Sequence, residues 1–201
     1  MANAYTPFGL QPINQNGTPW NGQGRMVCIP ASVLTSIFDG DPVVYAGSSD
    51  AFGVPNVAPA LAGAGNPIAG VTYGPSNGPA GSGVTLTRDQ PAYSHVGGIL
   101  SYALLADDPN ILFTVMEDSV GGAIAAAVSS GANGNLVAGV GQAITGSSGW
   151  MLQSSSVAAA ADPTFQVRLL GLVRGPDNAL GINAKWVVRL NNPQLWSTTG
   201  V

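Results

Sequence analysis

Ala184-Lys-Trp-Val-Val-Arg-Leu190 is the most regular stretch of this chain, and it indicates a β-strand. Its residues alternate between two sides with a period of two, as they do along a strand that is buried on one face. Ala184, Trp186, Val188 and Leu190 fall on one side, and Lys185, Val187 and Arg189 fall on the other. We therefore predict a strand whose Trp186 side faces a hydrophobic core.

The run from Phe165 to Arg174 shows a similar alternation, and the run from Ile111 to Glu117 is a third clear strand. One side of the Phe165 run is apolar and carries Phe165, Val167, Leu169 and Val173. The other side is mixed, because Leu170 and Leu172 alternate there with polar residues. Three positions stay open for these two leucines: under a loop, against a second sheet, or against a neighbouring subunit.

Shorter β-type runs, separated by turn residues, fill much of the rest of the chain at the spacing of an all-β domain. They are Met26 to Pro30, Pro42 to Ala46, Ile68 to Tyr73, Val84 to Thr87 and Ile99 to Leu105. Only the alanine-rich stretch from Ser119 to Ser130 competes for helix, and flanking glycines limit it to a couple of turns. We predict an all-β fold with a single β-sandwich or jelly-roll-like or barrel-like domain and at most one short helix.

We place this β domain at residues 24–192 and expect both ends of the chain to lie outside it. Residues 1–23 contain three prolines and no regular period, which predicts an extended N-terminal arm. Residues 193–201 form a predicted C-terminal tail. Aromatic side chains in such segments gain free energy when a partner buries them. The predicted partner contacts are Tyr5, Phe8 and Trp20 in the arm and Trp196 in the tail.

Charged residues make up only 8% of the 201 residues, against about 25% in an average soluble protein. Because a free monomer normally carries many mixed surface charges, we infer that copies of the chain or a larger assembly cover much of this surface. The net charge of -4 and the six scattered basic residues argue against direct binding to nucleic acid. We find no secretory signal and no apolar span long enough for a membrane, so we expect synthesis in the cytoplasm.

The residue types that most enzymes and cofactor sites use are scarce in this chain. His95 is the only histidine, Glu117 is the only glutamate and Cys28 is the only cysteine. We interpret His95 as a structural or surface residue, because no nucleophile pairs with it in a recognisable motif. Cys28 is expected to be buried and excludes an intramolecular disulfide. We therefore predict a protein that is not an enzyme and that uses no cofactor.

Two acidic pairs, Asp39 with Asp41 and Asp107 with Asp108, leave an alternative open. Carboxylates so close in sequence either hold a hard cation such as calcium or form turns. Neither pair has the spacing of a calcium loop, and Asp followed by Pro is typical of turns. We favour the turn interpretation for both pairs and predict no metal site.

Three further stretches resemble a known family. They are Met1-Ala-Asn-Ala-Tyr-Thr-Pro-Phe-Gly-Leu10 with Thr18-Pro-Trp-Asn-Gly22, Asp107-Asp-Pro-Asn-Ile-Leu-Phe-Thr-Val-Met-Glu-Asp118 with Gly121-Gly122, and Arg174-Gly-Pro-Asp-Asn-Ala-Leu-Gly-Ile-Asn-Ala-Lys-Trp186 with Arg189-Leu-Asn-Asn192. Over nearly its whole length the chain resembles small virion proteins of tailed bacteriophages, the structural cement or decoration proteins that accompany an HK97-type major capsid protein. The stretch that ends at Trp186 is the most specific of the three.

The resemblance implies a capsid decoration protein on the outer surface of the virion. It implies partners as well: the major capsid protein and copies of the chain itself, as a dimer or a trimer. The charge and the apolar stretches described above add the expectation of no direct nucleic-acid contact and no membrane. Such a protein bridges capsid subunits and stabilises the shell. The alternative is a head-fibre or tail-associated β-sandwich domain that binds host surface glycans.

Overall fold

The computed structural model describes residues 3–76, 94–128, 131–157 and 162–196. The strands in these ranges are β1 Gln11–Gln15, β2 Thr18–Pro19, β3 Arg25–Ile29, β4 Ile37–Phe38, β5 Pro42–Ser49, β6 Pro55–Pro59, β7 Gly70–Ser76, β8 Ser94–His95, β9 Ser101–Ala106, β10 Ile111–Met116, β11 Asn133–Gly134, β12 Leu136–Val137, β13 Met151–Leu152, β14 Val167–Leu172 and β15 Lys185–Leu190. Three short 3-10 turns accompany them, at Ala126–Val128, Ser154–Ser156 and Gln194–Trp196. The all-β prediction is confirmed, whereas the predicted strand from Val84 to Thr87 lies outside the described residues.

A six-stranded sheet has the order β11-β14-β15-β10-β1-β2. Its central strands β10 and β15 pair antiparallel, with Phe113 opposite Val188 and Val115 opposite Trp186. These four side chains are buried, whereas Lys185, Val187 and Arg189 are half-buried on the other face. The alternation predicted for residues 184–190 is therefore the observed one.

Five strands close into a barrel with the order β3-β6-β5-β7-β9. All pairs in it are antiparallel except β3 with β6, which is parallel. Alternate residues of the strands point inward and fill the barrel, as the period of two requires. The barrel core includes Val27, Ile29, Val43, Val57, Ala103 and Leu105.

A second, larger core lies between the six-stranded sheet and the wall of the barrel that β7 and β9 form. Val71 pairs with Ala106 across this wall, and both side chains belong to the same cluster as Phe113 and Trp186 of the sheet. Complete burial of side chains of this size stabilises a fold by roughly 1.5–3 kcal/mol each. The molecule is thus a sandwich in which one layer is a sheet and the other is a barrel wall.

The structure differs from the predicted N-terminal arm, because residues 11–19 form a hairpin inside the sheet. β1 pairs with β10, and β2 folds back on β1 through the Asn16-Gly17 turn, where both residues have positive φ angles. The prolines are tolerated here because Pro12 lies beside a bulge and Pro19 lies in the edge strand β2. Much of the arm is therefore part of the β domain.

The start of the predicted C-terminal tail also lies against the domain. The Gln194 amide N–H donates to the Ile68 carbonyl at 2.8 Å, and the Gln194 side chain accepts a hydrogen bond from the Tyr45 amide at 2.7 Å. Residues 193–196 therefore dock on the barrel, and residues 197–201 lie outside the described residues.

Leu170 and Leu172, which share one face in a regular strand, are separated by a bulge in β14. Leu169 pairs with Val188, whereas Gly171 pairs with Val187 and Leu172 with Trp186. The extra residue shifts the alternation by one position. Leu172 consequently packs against the larger core, and Leu170 remains 41% exposed.

Candidate interaction surface

The four predicted partner contacts do not come together in one patch. Tyr5 is 60% exposed, and Phe8 is half-buried. Trp20 is half-buried against the larger core, with its ring edge-to-face on Tyr73 at a centroid distance of 4.7 Å. Trp196 ends the last 3-10 turn, and its side chain lies outside the described residues. Their contact roles stay predictions, and Tyr5 is the most exposed of the three whose side chains the structure describes.

Tyr5 is exposed but held in place by its neighbours in the chain. The Asn3 side chain donates to the carbonyls of Ala179 and Ile182, each at 2.8 Å, and accepts from the Ala179 amide at 2.9 Å. Leu10, on the other side of Tyr5, is fully buried in the larger core. Because both ends of this short segment are anchored, a partner that binds Tyr5 has little chain to order.

Among the described residues, the most exposed apolar side chains lie elsewhere, in loops between strands. Val140 is 94% exposed and Ile144 is 89% exposed, and both belong to the loop between β12 and β13. Leu34, Phe52 and Leu61 are also largely exposed, in three other loops. The sequence analysis did not identify these residues as surface contacts. Isolated apolar residues among glycines and serines are ordinary in loops and form no recognisable pattern. The one signal for them was an apolar residue placed inside a turn-rich stretch, such as Gly139-Val140-Gly141.

An apolar cleft of about 470 Å³ is lined by residues of the loop between β12 and β13 and of the loops that hold Leu34 and Leu61. Val140 and Leu61 line it together with Phe38 and Trp150, which come from distant parts of the chain. Asp41 also lines this cleft, and its carboxylate accepts a hydrogen bond from the Phe38 amide at 2.8 Å. Burial raises the pKa of Asp41 to about 6. The cleft is therefore mostly hydrophobic, with a single titratable group at its wall.

A second, polar cleft of about 580 Å³ lies beside the ends of β1 and β3. Gln15, Gln23, Asp107 and Asp108 line it, together with Arg25. Asp107 accepts hydrogen bonds from Arg25 at 3.0 Å and from the Tyr45 hydroxyl at 2.9 Å. Asp108 accepts from the Gln15 side chain at 2.8 Å and from the Asn110 amide at 2.7 Å. These contacts support the turn interpretation of this acidic pair.

The other candidate chemical groups of the sequence serve as internal supports. His95 is fully buried between the Ser101 hydroxyl and the Val33 carbonyl, and burial lowers its pKa. Cys28 is fully buried as predicted, and burial raises its pKa to about 11. Asp39 and Asp41 flank a tight turn in which the Asp41 amide donates to the Phe38 carbonyl. In the part of the chain that the structure describes, no three side chains of His, Cys, Asp or Glu come together as a metal site would require.

The carboxylate of Glu117 is buried, which the sequence analysis did not predict. Buried carboxylates are often functional, so its surroundings need an account. It accepts hydrogen bonds from the Trp186 indole at 2.9 Å and from the Ser119 hydroxyl at 3.3 Å. Burial raises the pKa of Glu117. Its hydrogen bond from the indole makes Glu117 a support for the Trp186 side chain.

We compared the chain with known families, curated proteins and solved structures. No protein family, no curated protein and no solved structure matches this chain. Among the described residues, no helix has the length and apolar character to cross a membrane.

Proposed function

We propose that this chain is a virion structural protein, a capsid cement or decoration protein that lies on the outer surface of the capsid. The observation that carries the proposal is the nearly complete exposure of Val140 and Ile144 in one loop of an all-β framework, where Val140 also lines an apolar cleft. Apolar side chains presented in this way indicate a surface that a partner covers. The family resemblance of the sequence supplies the class of assembly.

In this proposal the partners are the major capsid protein and further copies of the chain. Packaged DNA pushes outward on a thin shell, so a protein that spans the boundary between two capsid subunits adds contact area where the subunits separate. Each contact need only be weak, because many copies act together. Few surface charges allow neighbouring copies to lie close without repulsion. The proposal assigns the chain no catalytic reaction.

Binding to purified heads that lack the protein tests the proposal. We expect the full chain to co-sediment with such heads, and cryo-electron microscopy to place it over the seams between capsid subunits. The double variant Val140→Ser with Ile144→Ser is expected to lower occupancy at least tenfold, because both apolar contacts are lost. Thr145→Ser, in the same loop, is the matched control and keeps full occupancy. Absence of the chain from the capsid surface contradicts the proposal.

The polar cleft supports a second candidate function, a head-fibre or tail-associated domain that binds host surface glycans. Amide and carboxylate side chains such as Gln15, Gln23 and Asp108 are the groups that bind sugar hydroxyls. A glycan array with the purified chain tests this candidate. Signal that falls when Gln23 is changed to Ala favours it, and density at the tail or at fibre tips does so independently.

A further inference from the structure

Two arginines lie directly opposite each other on the outer face of the six-stranded sheet. Arg168 of β14 is the register partner of Arg189 of β15. Their sequence neighbours Val167, Leu169, Val188 and Leu190 are buried in the larger core, so both arginine side chains extend from the other face. We call Arg168 and Arg189 the arginine pair.

The arginine pair has no counter-charge on its own sheet. The six strands contain no acidic residue, and Lys185 adds a third cation to the same face. Like charges directly opposite each other on a sheet destabilise it. Arg168 donates its Nε–H to the Asn133 side chain at 3.0 Å, a neutral partner. The Nε of Arg189 is buried and has no hydrogen-bond partner among the described residues.

The carboxylates of the described chain are engaged elsewhere, so they do not supply the missing counter-charge. Asp177 pairs with Lys185 at 3.2 Å, and Arg25 pairs with Asp107. Hydrogen bonds within the chain hold the carboxylates of Asp50, Asp108, Asp118 and Asp162. Because these carboxylates already have partners, the described part of a second copy of the chain is a poor source of anions for this face.

The residues around the arginine pair favour an acidic peptide over a phosphate backbone as the anion. Leu112 lies opposite Arg189 on the other neighbouring strand, Val187 lies two residues along β15, and the partly exposed Leu170 lies beyond Arg168. A phosphate backbone needs a longer track of cations, and a net charge of -4 repels it. A peptide with acidic and apolar side chains matches both the charge and the apolar residues of this face.

We infer that the arginine pair binds carboxylate side chains of an acidic segment of another protein. A guanidinium forms two parallel hydrogen bonds to a carboxylate, so two acidic side chains of one segment, one on Arg168 and one on Arg189, would neutralise the two charges. This inference does not depend on the proposed capsid role, because it concerns only the chemistry of this face.

Fluorescence anisotropy with labelled hexaglutamate tests the inference on the full chain. We expect saturable binding at low salt that weakens strongly at about 0.5 M NaCl. Arg189→Gln and Arg168→Gln are each expected to weaken binding about tenfold, since each removes one charged pair of hydrogen bonds. Arg174→Gln is the matched control, because it removes the same charge beyond the end of β14, and it is expected to change affinity less than twofold.

Three results would overturn the inference. They are no binding of hexaglutamate, equal losses in the Arg174 control, and tighter binding of a hexathymidylate oligonucleotide, which would make phosphate the ligand. Circular dichroism melts check that each variant is folded. If a glutamine variant unfolds at the assay temperature, Arg189→Lys replaces it; this variant keeps the charge but not the paired hydrogen bonds, and unchanged affinity then counts against the inference.

Discussion

At the scale of single residues, the buried Glu117 carboxylate accepts the hydrogen bond of the Trp186 indole N–H and so stabilises this side chain in the core. We expect Glu117→Ala to lower the free energy of unfolding by about 2–4 kcal/mol, because it leaves the indole N–H without a partner and opens a cavity. Glu117→Gln is the matched control and should lose less, since its amide oxygen still accepts from Trp186. Urea unfolding of the three proteins measures the difference, and equal losses would show that this hydrogen bond contributes nothing.

Asp41, also at the residue scale, gives the fold a pH dependence. Its pKa is about 6 in the folded chain against 3.8 as the ordinary value, so the folded state retains the proton longer than the unfolded state. Its contribution to stability is therefore complete below about pH 4 and is lost as the pH rises through 6. The two-unit shift corresponds to about 3 kcal/mol.

Asp41→Asn removes this titration while its side-chain oxygen still accepts the Phe38 amide. We expect the difference in unfolding free energy between the wild-type chain and Asp41→Asn to change by about 3 kcal/mol between pH 4 and pH 7. Relative to the variant, the wild type should be more stable at pH 4 than at pH 7. Taking this difference cancels the opposing effect of His95, whose lowered pKa costs stability below about pH 6.5 in both proteins. Parallel pH profiles of the two proteins would refute the assignment.

At the scale of elements, the first strand ties the beginning of the chain to the sheet. Deletion of residues 2–19 removes β1 and the buried Leu10, and it exposes the edge of β10. We expect this truncation to cost about 5 kcal/mol or more, which few domains of this size tolerate. Tyr5→Ser, a change at an exposed position of the same segment, is the control and should melt like the wild type. A truncated chain with an unchanged cooperative melt would contradict this role of β1.

The bulge in β14 makes a second prediction at the element scale. Leu172→Ala should destabilise the chain by roughly 1–3 kcal/mol, because Leu172 packs against the larger core next to Trp186. Leu170→Ala should stay within about 0.5 kcal/mol of the wild type, because Leu170 is the partly exposed residue of the bulge. Chemical denaturation compares the two variants directly, and the reverse order would place the bulge elsewhere.

At the scale of the whole molecule, exposed apolar loops on a weakly charged surface predict self-association. We expect sedimentation velocity to show dimers or trimers whose population rises with protein concentration. Because apolar contacts are not screened by ions, about 0.5 M NaCl should leave these species intact. Val140→Ser with Ile144→Ser should shift the population to monomer, with Thr145→Ser as the control. A monomer at all concentrations would remove self-association from the proposal.

The fold class was readable from sequence because local alternation reports which face of a strand is buried. Residues 184–190 show this clearly, since Trp186, Val188 and Leu190 are buried in the structure as their period of two predicts. The alternation assigned Leu172 to the wrong face of β14. One extra residue at the bulge reverses the alternation there, and no sequence pattern reveals that bulge. Prediction from sequence failed for the N-terminal segment as well, because prolines beside a bulge and in an edge strand do not look like a strand.

The candidate surfaces were less predictable than the fold, because they combine residues that lie far apart in the chain. Val140 and Leu61 meet Phe38 and Trp150 in one cleft only after the barrel and its loops are assembled. Tyr5 was predicted as a partner contact from sequence, because a proline-rich segment with aromatic residues is locally conspicuous, and this role stays a prediction. By contrast, Asn3 forms its anchoring hydrogen bonds across 176 positions of the chain, which no local pattern encodes.

By itself, the sequence determined the all-β class, the buried face of β15, the burial of Cys28 and the shortage of surface charge, since each depends on composition or on neighbouring residues. The tertiary structure alone decided the barrel, the place of β1 in the sheet, the bulge at Leu170 and the opposition of Arg168 and Arg189. The physical reason is that strand pairing and register are set by contacts between distant segments, whereas the period of a strand is set by its own backbone.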